Sequence, residues 1–114
     1  MARPDLPQGT LETMILKTLT WGPLHGFGIG RSIQRASEDA LVIETGSLYP
    51  ALYRMAKRKW IKAEWRRTEN NRRGKYYALT AEGRKQLAAQ SASWLDLMQS
   101  VGRVLQATER KVDG

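Results

Sequence analysis

The chain of 114 residues has no cysteine, a single histidine, His25, and no apolar run approaching the roughly 20 residues that a membrane span requires. Without cysteine there are no disulfides and no thiolate metal sites, and the composition suits a reducing compartment. The N-terminus, Met1-Ala2-Arg3-Pro4-Asp5, is not followed by an apolar signal core. A cytoplasmic protein that makes no use of a membrane is expected. His25 has no serine–acid or cysteine partner in a recognisable motif, and no carboxylate cluster suggests metal catalysis. Gly26-Phe27-Gly28-Ile29-Gly30 begins like a dinucleotide fingerprint, but Arg31 stands where the third glycine belongs and no acidic βαβ partner follows. These absences point to a non-enzyme without cofactor or metal. They leave His25 a capping or local hydrogen-bonding role at a helix start.

Acid is scarce in one stretch in particular. Residues 54–75 hold ten Lys or Arg (Arg54, Lys57, Arg58, Lys59, Lys62, Arg66, Arg67, Arg72, Arg73, Lys75) against Glu64 and Glu69 alone, a local excess that equals the whole chain's net charge of +8. The rest of the chain is balanced, so the positive charge forms a concentrated device that attracts a polyanion. A polar Glu69-Asn70-Asn71 turn between strand-like residues, with Tyr76 and Tyr77 behind it, reads as a basic β-hairpin. Nucleic acid is the first partner to consider.

Thr10 with Glu12 behind it reads as a helix start. Leu11, Met14, Ile15, Thr18 and Leu19 then share one face, which predicts a helix over about 10–20, ended by Gly22-Pro23. Ile29, Ile33 and Ala36 predict a second helix over about 26–37, whose glycines at 26, 28 and 30 imply close packing against a neighbouring helix. Leu41-Val42-Ile43 reads as a short extended piece. The third helix is expected to be capped near Ser47, which keeps Pro50 in the first turn, where its missing N–H costs little. Leu48, Leu52 and Met55 form its buried face, leaving Ser47, Tyr49, Tyr53, Arg54, Lys57 and Arg58 elsewhere. With strands over about 62–67 and 75–79, residues 1–79 have the layout of a winged helix-turn-helix, a mainly α fold with a small β-hairpin.

Thr80-Ala81-Glu82 caps a final segment, residues 80–114, in which Leu87, Ser91, Trp94, Met98, Val101, Leu105, Thr108 and Val112 keep heptad spacing. Some 30 helical residues would reach about 45 Å at 1.5 Å each, farther than so small a domain can cover. A C-terminal dimerisation helix is therefore expected, and dimerisation would supplement the modest core of a short chain.

Four blocks carry a family resemblance: Gly9-Thr10-Leu11-Glu12, Gly22-Pro23-Leu24-His25-Gly26-Phe27-Gly28-Ile29, Gly46-Ser47-Leu48-Tyr49-Pro50-Ala51-Leu52, and the run from Glu69 to Thr80. Together, in this order, they resemble the PadR family of bacterial transcriptional regulators across about residues 9–85. The resemblance implies a dimeric winged-helix protein that binds DNA, usually as a repressor. The short C-terminal helix is similar to that of the compact subgroup, some members of which bind flat aromatic compounds at the dimer interface. Phe27, Tyr53, Lys59 and Trp60 depart from the usual tyrosine, histidine, glycine and smaller apolar residue, so an operator sequence does not transfer. If position 59 is left-handed, lysine there costs on the order of 1 kcal/mol.

Ser47 and Tyr49 sit at a helix N-terminus, whose N–H groups and partial positive charge favour phosphate; the resemblance places this start on DNA. Tyr53 and Arg54 follow as groove contacts, the alternative for either tyrosine being simple packing within the domain. Arg72, Arg73 and Lys75 at the hairpin tip can reach phosphates or a narrow minor groove, where a bare charge run would be only a solvated face. Trp94 has two readings. It is either plain interface core or, paired with its copy across a dimer, a sandwich for a planar aromatic effector, with Leu11, Ile15, Met98 and Val101 around it.

The leading expectation is a homodimeric repressor on double-stranded DNA with a pseudo-palindromic operator. One rival is a non-specific or architectural nucleic-acid-binding winged helix. Another is an interaction protein whose long helix joins a different chain and whose hairpin meets an acidic protein surface.

Overall fold

In the computed structural model, which describes residues 9–110, apolar side chains at helical spacing converge on one core. α1 (Thr10–Thr18) contributes Ile15 and Leu16, and the 3-10 turn Leu19–Trp21 contributes Leu19. α2 (Gly26–Ala36) adds Ile29 and Ile33, and α3 (Thr45–Lys57) adds Leu48, Ala51, Leu52 and Met55. Ile61 and Tyr77, from β2 (Ile61–Arg67) and β3 (Arg73–Leu79), close the core from the sheet side. α4 (Ala81–Gln106) completes the chain.

The hairpin expected from the sequence is the larger part of a three-stranded antiparallel sheet. A two-residue strand, β1 (Leu24–His25), pairs with the outer edge of β3, giving the order β1-β3-β2 with Leu24 opposite Tyr77 and Ile61 opposite Leu79. Two residues carry no readable alternation, so this strand is defined by its partner and not by its own pattern. Leu41-Val42-Ile43 joins no sheet; Leu41 and Ile43 pack against the core while Val42 between them is exposed.

Helix ends differ from expectation in instructive ways. α1 is preceded by Gly9 at φ 85°, and Thr10 is already helical; its hydroxyl is buried without a hydrogen-bond partner among the described residues. α3 starts at Thr45, and the Glu44 carbonyl accepts from the N–H groups of Ser47 and Leu48 at 3.0 and 2.9 Å. Pro50 therefore lies in the second turn, where it removes the bond to the Gly46 carbonyl. A Cβ at Gly46 would meet no neighbouring group within 4 Å, so the helix is open on the side of that residue. At its other end, Trp60 N–H reaches the Met55 carbonyl and Lys59 N–H the Ala56 carbonyl, both at 3.0 Å, with Lys59 at φ 64°. This is the Schellman arrangement with lysine where glycine is strain-free.

Thr80 caps α4 as expected, accepting from Gly83 N–H at 3.0 Å. Its hydroxyl also lies 2.6 Å from the Lys59 carbonyl and 2.9 Å from that of Trp60, which fastens the start of α4 to the turn that ends α3. The first part of α4 is held by Leu87 against the core and by Gln90, whose side-chain oxygen is 2.7 Å from the Thr13 hydroxyl. The remainder projects, so the molecule measures 68 × 34 × 22 Å. The helix ends at Gln106, short of Thr108 in the expected heptad stripe, and Val112 lies outside the described residues.

Candidate nucleic-acid interface

α3 presents two edges beside its buried face. Tyr49, Tyr53 and Lys57, four residues apart, form one; Ser47, Arg54 and Arg58 form the other. The tyrosine edge lies against α2. A Cβ at Gly26 would come within 2.8 Å of the Tyr49 ring, so the absence of a side chain there is what lets the ring rest on the first turn of α2. Gly30 is packed less tightly, with Leu48 as its neighbour. Tyr49 thus packs and is exposed at once, and Tyr53, one turn on, is 70% exposed. Beside them, burial with a smaller contribution from Tyr49 pushes the Tyr77 phenol above its ordinary pKa.

The arginine edge is engaged within the domain. Glu12 of α1, with only 14% of its side chain exposed, pairs with Arg54 at 3.1 Å and Arg58 at 3.8 Å. Arg54 therefore begins as a strut between α3 and α1, apart from the tyrosine edge. Ser47 is exposed at the helix start, where no acid occupies the first turn.

His25 caps α2: its Nδ1 accepts from Gly28 N–H at 2.9 Å, and its ring meets Tyr76 edge-on. This bonding leaves the proton of the neutral ring on Nε2.

The wing sorts its charges by face. Strand alternation puts Lys62, Glu64 and Arg66 on one side with Tyr76 of β3, and Trp65 and Arg67 on the other with Arg73, Lys75 and Tyr77. On the first face Glu64 pairs with Arg66 at 2.8 Å and Lys62 at 3.5 Å. The Arg66 hydrogen bond is the main cause that holds the Glu64 carboxyl below its ordinary pKa. On the second face no carboxylate among the described residues lies within ion-pairing distance of Arg67, Arg73 or Lys75, nor of Arg72 at the turn. Tyr77 belongs to this second face and is buried beside Tyr49, so the uncompensated cations stand on the same side of the sheet as the tyrosine edge of α3. Asn71, at φ 57°, makes the tip turn, and its side chain accepts from Arg67 at 2.6 Å.

Of the residues expected to meet DNA, Arg73 and Lys75 stand on the side of the sheet that carries Tyr77, next to Tyr49 of α3, while Arg54 turns instead to Glu12. Trp65 and Arg67 share the unpaired face and were not singled out from the sequence. Alternation along β2 from buried Ile61 was the available signal. Along α4, Trp94, Met98 and Val101 lie on a partly exposed apolar face with Leu95, Leu97, Val104 and Leu105, the last 79% exposed. Leu11 is half-buried at the core edge, and Ile15 is fully buried within it. No group of histidine or carboxylate side chains able to hold a metal ion, and no helix long and apolar enough to cross a membrane, occurs among the described residues.

Comparison with known proteins gives the same architecture. Residues 15–89 match the family described as the transcriptional regulator PadR-like family. A transcriptional regulator from Clostridium thermocellum is 29% identical, with 88% of this chain and 96% of that one aligned at a TM-score of 0.76. A PadR-like transcriptional regulator from Bacillus cereus is 28% identical over 88% of this chain and 95% of its own, also at 0.76. A PadR family regulator from Eggerthella lenta is 29% identical over 89% and 86%, at 0.73.

Proposed function

Because the chain belongs to the PadR-like family of transcriptional regulators, which act on DNA and are not enzymes, we propose that it works as a homodimeric repressor of a pseudo-palindromic operator. The observation that carries the dimer is the far half of α4, where seven large apolar side chains from Trp94 to Leu105 lie exposed on one projecting helix. A continuous apolar surface of that kind is costly in water and is relieved by a second copy. In this reading residues 1–79 are the DNA-binding unit and residues 80–114 the dimerisation element. The tyrosine edge of α3 enters the major groove while Arg72, Arg73 and Lys75 engage the flanking backbone, with half-sites about 34 Å apart or a multiple of that.

Two copies of Trp94 facing each other across the dimer, with Met98, Val101 and Leu11 beside them, would accept a planar aromatic effector. Ile15, fully buried in the core, is closed to such a ligand and drops out of the expected lining. Such a ligand relieves repression only if it favours one spacing of the two DNA-reading heads.

The test is a titration of the protein against fluorescent duplex from immediately upstream of its own gene, with scrambled duplex as competitor and sedimentation for stoichiometry. Binding that survives the competitor with two subunits per site is the expected result. Equal loss to both duplexes would leave a non-specific nucleic-acid-binding protein. A monomer at micromolar concentration would remove the role given to α4.

A further inference from the structure

Trp65 stands on the wing face that lacks acids, beyond the point where the sheet meets the core. It lies four residues along β2 from buried Ile61, about 13 Å at the usual strand rise. The residue is 59% exposed. The Arg73 guanidinium sits 5.1 Å from the ring centroid, and Lys75 is its directly opposed neighbour on β3. Neither the core, nor the α4 face, nor any ion pair uses this side chain. A large aromatic left in water between uncompensated cations has the makeup of a contact with a polyanion that also offers apolar surface. Duplex DNA is such a partner: its phosphates flank deoxyribose edges that line the minor groove.

We propose that Trp65 is an apolar DNA contact of the wing, laying the indole surface left free by Arg73 against the deoxyribose edge of the minor groove while Arg73 meets an adjacent phosphate. The inference rests on the repressor reading above and adds to it a contact that is not electrostatic. The distinction is measurable. A cation that neutralises a phosphate releases counterions, and its loss flattens the dependence of log affinity on log salt by about 0.9. An apolar contact changes affinity without changing that slope.

The experiment compares wild type, Trp65→Ala, Trp65→Phe and Arg73→Ala on the upstream duplex across a series of salt concentrations. Trp65→Ala is expected to weaken binding on the order of tenfold at every salt concentration with the wild-type slope, as burial of part of an indole implies. Trp65→Phe should recover part of the loss, and Arg73→Ala should flatten the slope. A Trp65→Ala slope as flat as that of Arg73→Ala would overturn the proposal, because Trp65 would then act only by propping the guanidinium. Unchanged affinity would overturn it as well. If wild type itself fails to bind the duplex specifically, the repressor reading falls and this inference with it; failure of Trp65 alone leaves that reading in place.

Discussion

Gly83→Ala tests the joint that fixes α4 to the DNA-binding unit. Gly83 is buried in the first turn of α4, and a Cβ there would sit on the Trp60 carbonyl oxygen, with Leu79 Cδ1 at 2.8 Å. That carbonyl is not free to move, since it accepts from the Thr80 N–H at 3.1 Å and from the Thr80 hydroxyl at 2.9 Å. Forced overpacking costs about 1–3 kcal/mol. Loss of one or two of these bonds adds about 1 kcal/mol each. The better helix propensity of alanine returns about 1 kcal/mol. A net loss of about 1–4 kcal/mol follows, and for a domain of this size a melting temperature lower by on the order of 10 °C. The assay is urea and thermal unfolding followed by circular dichroism at one fixed protein concentration, since self-association would shift the midpoint. Gly46→Ala is the control, because the same change on α3 meets no atom within 4 Å and should be neutral or stabilise by up to about 1 kcal/mol. A Gly83→Ala protein within 0.5 kcal/mol of wild type, on the order of experimental error, would refute the close approach of α4 to Trp60.

The other expectations concern single side chains. Lys59→Gly should stabilise by about 0.5–1 kcal/mol in the same unfolding assay, because Lys59 holds φ 64° in the turn after α3; a loss of stability would show that the lysine side chain makes a compensating contact. Tyr49→Phe keeps the ring on Gly26 and removes only the hydroxyl, so specific DNA binding should fall by roughly tenfold, more than non-specific binding; equal losses in competition titrations would take Tyr49 out of base readout. Trp94→Ala should abolish binding of a planar aromatic dye while far-ultraviolet circular dichroism stays unchanged, and retained dye binding would place any pocket elsewhere.

The helices, their apolar faces, the basic hairpin, the Thr80 cap and the long apolar stripe were legible because each rests on local periodicity or on a capping residue a few positions from its target. The His25 cap is of the same kind, with donor and acceptor three residues apart. What the linear pattern could not show depends on groups distant in the chain. Arg54 and Arg58 look like free cations until folding brings Glu12, 42 residues before Arg54, to 3.1 Å. β1 is too short to have a period, and it exists because β3 offers it an edge. The early start of α3 displaces Pro50 into the second turn because the helix is held by its packed face, which outweighs one lost backbone bond. The division of the wing into a face whose cations share Glu64 and a face without an acid follows from strand alternation, but which face looks toward α3 is decided by where Ile61 and Tyr77 are buried. Local chemistry thus specified the parts and the sign of the partner. Long-range packing chose which charges remain available to meet it.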